Sequence, residues 1–187
     1  MPGTKITITS GEFRGRRIYT PDTSLVHPMG SRERLALFNA LESIRGPLAA
    51  DTTVLDCFCG SGALGLEAIS RGARNVVFVD NNQKAIATTE QNIKTLTLKD
   101  YYKVIKSDFR KLPAQNLGHF DVILADPPYD NYPADLTELG NLLSDNGVLA
   151  LSHSTSVDPT QLLPNFKLVR TKKYAAACIS LLVKHNH

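Results

Sequence analysis

Two stretches of this 187-residue chain combine residue types that could do chemistry. The first is "LDCFCGSGALG", in which Asp56 precedes Gly60, Gly62 and Gly65. Glycines at that spacing fit a G-x-G-x-x-G turn, where the missing side chain lets a ligand touch backbone N–H groups. NAD, FAD and S-adenosylmethionine all use such turns. Asp56 bears on the choice. A carboxylate at the strand end repels a pyrophosphate, but it suits the sulfonium and α-ammonium of S-adenosylmethionine. The alternative is an aspartate that bonds its own turn. Asp80 ends the next apolar run, "NVVFVD". There an acid can accept the ribose hydroxyls of an adenosine, or cap the following helix through "DNNQ". Asp108 and Phe109 stand where they can bond and pack the adenine edge, or where Asp108 caps a helical turn.

The second stretch is "LADPPYDNY". Pro127 and Pro128 lock φ and remove two N–H donors. The residue before a proline is pushed to an extended conformation. Asp126-Pro127-Pro128-Tyr129 therefore leaves its strand as a stiff arm with an acid at the base and an aromatic face beyond. That arm suits methylation of an exocyclic amine on a planar base. Such a nitrogen is a poor nucleophile because its lone pair is delocalised into the ring. Asp126 and a proline carbonyl can accept its two hydrogens and stabilise the positive charge that develops during attack. Tyr129 can stack on the base and hold it in line with the sulfonium. A base within a helix would first have to be flipped out.

The elements around these stretches form a rhythm. "TVLDCF", "NVVFVD", "YYKVIKSD", "FDVILADPPY" and "GVLALSHS" read as buried strands, alternating with the helices "GALGLEAISR", "NQKAIATTEQNIKTL" and "PADLTELGNLL". That predicts an α/β fold with a mostly parallel sheet covered on both faces. "FKLVRTKKY" and "AACISLLVK" have almost nothing between them and predict a C-terminal antiparallel hairpin. Ligand sites in such doubly wound sheets lie at the carboxyl ends of the strands. Upstream, "KITITS" and "RRIYT" predict a small hairpin, "TPDTSLVHPMGS" a loop, and Ser31 to about Ile44 a helix with Ser31 as N-cap. Leu35, Phe38 and Leu41, with Leu37 or Ile44, would form its apolar face. Residues 1–50 are expected to form an N-terminal extension and 51–187 the main domain.

Composition limits the possibilities further. No apolar stretch approaches the roughly 20 residues that cross a bilayer, and "MPGTKITITSGEFRGRR" has no apolar signal core, so a cytoplasmic protein is expected. Cys57, Cys59 and Cys178 show no zinc spacing and read as reduced structural thiols. The histidines form no catalytic pairing, and His153 reads as a turn residue. The formal net charge is +3, and all of that excess lies in residues 1–50, which suggests a polyanion contact.

"LDCFCGSGALGLEAISRGA" followed by "DPPY" resembles the RsmD-type methyltransferases, the family of small-subunit (16S) rRNA guanine-N2 methyltransferases with a Rossmann-like class I fold dependent on S-adenosylmethionine. "ITSGEFRGRRIYTPD" resembles the start of that family and "HPMGSRERLALFNAL" its next motif. The resemblance implies cofactor contacts at Asp56, Gly60, Gly62, Asp80 and Asp108. It implies a guanine amine held by Asp126, Pro127 and Tyr129. Arg14, Arg16, Arg17, Arg32 and Arg34 become candidates for RNA contact, with Lys172 and Lys173 weaker ones. The implied partner is 16S rRNA or an assembling small subunit, bound by a monomer that needs no metal. The chain departs from the family pattern at His27, Met29, Ser31 and Leu35. Three rivals use the same features: a DNA adenine-N6 or cytosine-N4 methyltransferase, a nucleotide-dependent oxidoreductase, and a catalytically silent RNA-binding module.

Overall fold

The computed structural model describes residues 4–20, 29–99, 102–112, 117–129, 136–174 and 177–185. The predicted loop lies largely at 21–28, so His27 falls outside the described residues. Strand β1 (Lys5–Thr7) pairs antiparallel with β2 (Arg17–Tyr19), with Ile6 opposite Ile18. Helix α1 spans Ser31–Arg45. The cap position is Gly30, one residue before the predicted Ser31, and the Glu33 side chain accepts the Gly30 N–H at 2.8 Å. The buried face is also shifted. Leu37, Phe38 and Leu41 face the core, Leu35 is 39% exposed, and Arg34 takes the inward position.

The main sheet contains β3 (Thr53–Asp56), β4 (Asn75–Asp80), β5 (Tyr102–Lys106), β6 (Phe120–Ala125), β7 (Leu143–Ser154), β8 (Phe166–Tyr174) and β9 (Ala177–Lys184). Their order is β5-β4-β3-β6-β7-β9-β8. The first five are parallel, and β9 then pairs antiparallel with both β7 and β8. Crossovers run through α2 (Ala63–Ser70), α3 (Gln83–Leu96), a 3-10 turn (Phe109–Lys111) and α4 (Glu138–Leu142). A short α5 (Pro159–Leu162), for which the sequence showed no signal, precedes β8.

Alternation along each strand gives the sheet two cores. One contains Val54, Phe78, Val122, Leu124, Ala150 and Ile179 under α1 and α2. The other contains Leu55, Val77, Ile123, Leu149 and Leu151 with Phe109, Leu139 and Leu163. Ile8, Ile18, Phe38 and Leu41 belong to the first core, so the N-terminal segment is packed into the main body. Buried Glu67 of α2 ties it there. Its carboxylate accepts the Thr9 N–H at 2.8 Å, the Thr9 hydroxyl at 2.6 Å and the Ser10 N–H at 3.0 Å. A Cβ on Gly11 would lie 1.8 Å from the Ser70 carbonyl oxygen, so glycine lets this loop approach the end of α2. No described helix is long and apolar enough to cross a membrane.

Candidate active site

Each candidate acid sits at the carboxyl end of a parallel strand, and the topology brings those ends together. Asp56 is 1% exposed, and one of its carboxylate oxygens accepts the Gly65 N–H at 2.9 Å. The other, Oδ1, is buried without a partner. A buried acceptor left open is costly, and a ligand ammonium suits it. Burial pushes the Asp56 carboxyl up to about 7, and the negative charges of Asp126 and Asp80 add to the rise.

The glycine turn is built from both sides. Gly60 and Gly62 have φ of +53° and +77°. A Cβ on Gly62 would meet Thr89 at 3.0 Å, and one on Gly65 would meet the Phe78 ring at 2.2 Å. Those two glycines serve packing. Gly60 differs, since its Cβ position meets only the Phe58 carbonyl at 4.0 Å, so that side of the turn is open to a ligand. Asn92 was not singled out in the sequence, yet it is fully buried and locks this region. It donates to the Ser61 and Tyr19 carbonyls and accepts the Tyr19 N–H, each at 2.8 Å. A mid-helix asparagine gives no periodic signal, so only the fold identifies it.

Asp80 accepts the Gly60 N–H at 3.0 Å and the Asn82 N–H at 2.9 Å. The cap of α3 is Asn82, which accepts the Lys84 N–H at 2.8 Å. Asp80 thus closes the glycine turn and leaves capping to its neighbour. Asp108 caps the 3-10 turn and forms an ion pair with Arg110, which holds its carboxyl down at about 2. Phe109 is 5% exposed and packs against Phe58 with ring centroids 5.2 Å apart. Phe58, half-buried on the glycine turn, is an apolar surface the sequence reading passed over.

Across the site, Pro127 is buried and Tyr129 is 42% exposed. The Tyr129 hydroxyl meets the Ser152 hydroxyl at 2.6 Å, and Ser152 also hydrogen-bonds the Asp126 carboxylate. Ser152 therefore joins the acid to the aromatic ring and fixes the arm's two working groups relative to each other. Asp126 keeps a partial opening to solvent, and desolvation still pushes its carboxyl up to about 6 against the lowering effect of that bond. The Glu33 charge at the start of α1 raises it further. At these strand ends neighbouring carboxylates make both Asp56 and Asp126 harder to ionise.

The arginines do not behave as a set. Arg34 is 1% exposed and donates to the Met29 carbonyl at 2.8 Å and the Thr7 carbonyl at 2.5 Å, with Glu67 at 3.9 Å. It is a structural cation and cannot contact RNA, which corrects the expectation. Its sequence position gave no warning, because exposed and buried arginines read alike. Arg14, Arg16, Arg17 and Arg32 are exposed. Arg16 bonds the Thr95 carbonyl near the end of α3, and the loop carrying Arg14 packs on the end of α2. Both helices begin at the site, so these two arginines stand roughly 12 Å or more from it, the length of eight helical residues.

The remaining polar candidates have structural roles. His153 lies within β7, not in a turn; it is buried and bonds the Ser180 hydroxyl at 2.8 Å. All three cysteines are free and buried, and burial raises the Cys57 and Cys59 thiols. Among the described residues no cluster of three metal-ligating side chains occurs. A cavity of about 590 Å³ lined by Thr137, Asp145, Phe166 and Lys184 opens at the opposite end of the sheet.

Comparison with known proteins bears on the family and the fold. The family model described as "Conserved hypothetical protein 95" matches residues 6–183. An Escherichia coli protein named Ribosomal RNA small subunit methyltransferase D is 39% identical over 148 residues, covering 78% of this chain and 70% of that protein. The Haemophilus influenzae protein of the same name is 36% identical over 129 residues, covering 67% of this chain and 64% of that one. A solved structure of the methyltransferase candidate yhhF from Escherichia coli superposes with a TM-score of 0.76 at 26% identity. It covers 98% of this chain and 100% of that one, and places the fold among class I methyltransferases. With a strand-end glycine turn, a proline-braced acid and these matches in hand, we conclude that the chain belongs to the ribosomal RNA small subunit methyltransferase D family of rRNA methyltransferases.

Proposed function

We propose that this chain transfers a methyl group from S-adenosylmethionine directly, in line, to the exocyclic N2 amine of a guanine in 16S rRNA. The observation that carries the reading is the pairing of two features at the carboxyl ends of neighbouring strands. One is an acid-lined glycine turn with an unpartnered oxygen on buried Asp56, and the other is an arm whose acid and tyrosine share Ser152. Asp56 would meet the ligand ammonium, Asp80 the ribose, and the open side of Gly60 the ligand body. The ion pair with Arg110 leaves Asp108 to contribute its remaining lone pairs at the adenine edge. When bound, S-adenosylmethionine supplies an electrophilic methyl group on a cationic sulfur. Asp126 and the Pro127 carbonyl accept the amine hydrogens, and the exposed Tyr129 face takes the base.

The acid cluster argues against a nicotinamide dinucleotide, whose pyrophosphate would add negative charge to groups already hard to ionise. A DNA amino-methyltransferase uses a similar arm, and the choice of nucleic acid is made by the product. The test is to incubate the protein with labelled S-adenosylmethionine and either small-subunit particles or duplex DNA. The methylated nucleotide is then identified by mass spectrometry. N2-methylguanine in 16S rRNA is the expected product, and label confined to DNA would end the reading.

Cofactor affinity should depend on pH in a defined direction. A cation binds the ionised Asp56, whose carboxyl in the free protein is raised to about 7. Affinity for S-adenosylmethionine is therefore expected to rise with pH through about 7 and level off above it. Stability of the free protein runs the other way. The contribution of a raised carboxyl is complete below its unfolded value of about 3.9 and is lost as pH rises through its folded value. Calorimetric titration between acidic and mildly alkaline buffers checks the first trend. A flat profile would show that Asp56 does not face the ligand.

A further inference from the structure

The C-terminal edge strand carries an arrangement that the N-terminal charge excess did not suggest. In β8 the seven residues from Lys167 to Lys173 are all exposed, and they include Lys167, Arg170, Lys172 and Lys173 with no acid. Among the described residues its only paired strand, β9, is also free of acids. Among the described residues no ion pair engages Arg170, Lys172 or Lys173. Lys172 lies over the Tyr174 ring at 5.4 Å, and Arg170 spends one donor on the Ser43 hydroxyl at 3.1 Å.

Register places these cations relative to the site. Ser152 of β7 is opposite Ile179 of β9, and Ile179 is opposite Lys172 of β8. Paired residues share a sheet face, so Lys172 projects on the face that carries Ser152 and the groups it holds. Two strand spacings separate them, roughly 10 Å. Arg170, two residues before Lys172 and opposite Leu181, lies on the same face by ordinary strand alternation. The irregularity between Leu168 and Arg170 precedes this pair and leaves it in register.

We propose that Lys172 and Arg170 form a phosphate-binding rail for the RNA strand that leaves the target base. The proposal rests on the reading that RNA is the substrate, and adds where its backbone runs. A base drawn against Tyr129 carries its flanking phosphates a short distance along the sheet edge, where an acid-free cationic strand is waiting. The exposed apolar pair Leu168 and Val169 fits the sugar side of such a strand, and the cations neutralise its phosphates. The rail is nearer the arm than Arg14 or Arg16, which sit at the far ends of α2 and α3.

The double variant Lys172→Gln/Arg170→Gln tests this, with Lys103→Gln on the opposite edge strand β5 as control. Binding of fluorescently labelled 16S rRNA fragments is measured by anisotropy across a salt series, without methyl transfer. Every phosphate that is no longer neutralised should flatten the log–log salt slope by about 0.7. The double variant should bind roughly tenfold more weakly at low salt and show a raised KM for RNA, with KM for S-adenosylmethionine unchanged. Lys103→Gln should leave both slope and affinity as they are. An unchanged slope in the double variant would overturn the proposal. So would a concentration-dependent dimer dissolved by Val169→Lys, because a second copy would then cover this edge. A changed slope in a protein that methylates no guanine would leave the rail standing and remove only the assigned product.

Discussion

Asp126→Ala should lower kcat for methyl transfer by about a thousandfold while leaving S-adenosylmethionine binding intact. The size follows from the role. Groups that stabilise charge developing only in the transition state are worth roughly 3–4 kcal/mol when removed singly, and each ~1.4 kcal/mol is tenfold in rate. Alanine takes away the acceptor for the amine hydrogen and the charge facing the forming ammonium. It also removes one of the negative charges that raise Asp56, so cofactor affinity should hold or improve. Asp126→Asn keeps one acceptor oxygen without the charge and should fall between wild type and alanine. Ser152→Ala separates positioning from contact. It frees Tyr129 and removes the bond that lowers the Asp126 carboxyl, so the acid limb of the pH–rate profile should move to higher pH. With that bond gone, burial and the Glu33 charge from α1 are left, and both favour the protonated form. Single-turnover rates with saturating cofactor, alongside calorimetric binding, provide the measurement. Full activity in Asp126→Ala would refute the assignment of the arm.

Glu67→Ala should be the most destabilising single change in the described core. Glu67 is fully buried, accepts the Thr9 and Ser10 N–H groups, and bonds the Arg71 guanidinium at 3.1 Å. Arg34 lies 3.9 Å away, and its Nε already lacks a hydrogen-bond partner. Burial lowers the Arg34 pKa from its ordinary value, and Glu67 is the first charge that offsets this. Removing the carboxylate leaves a buried guanidinium beside two unsatisfied N–H groups. Breaking a buried ion pair from one side costs about 3–5 kcal/mol, a large share of the ~5–15 kcal/mol of a typical domain. A fall in Tm of roughly 10–15 °C follows for a chain of this size. Glu67→Gln retains acceptor capacity and should lose less. Thermal unfolding by circular dichroism distinguishes these outcomes, and a Tm within a few degrees of wild type for Glu67→Ala would show that the network relaxes without cost.

The parallel sheet, its C-terminal hairpin and the strand-end positions of Asp56, Asp80, Asp108 and Asp126 were legible because they depend on local quantities. Runs of Val, Ile and Leu alternating with helical patterns admit few topologies, and a glycine turn or a double proline restricts the backbone wherever it occurs. What the sequence could not convey was which polar side chains are consumed by long-range partners. Arg34 resembled its neighbour Arg32 until Glu67, 33 positions away, was placed beside it. Asp80 read as a ribose acceptor or a helix cap, and only the fold turned the Gly60 N–H onto it. Ser152 had no visible role until β7 was laid against β6, and Lys172, a weaker candidate for RNA contact in the sequence, had no place relative to the site until two antiparallel pairings set it in register with Ser152. Hydrophobic periodicity and backbone restriction are properties of consecutive residues. Hydrogen-bond satisfaction and charge pairing depend on neighbours in space, and only the folded chain supplies those.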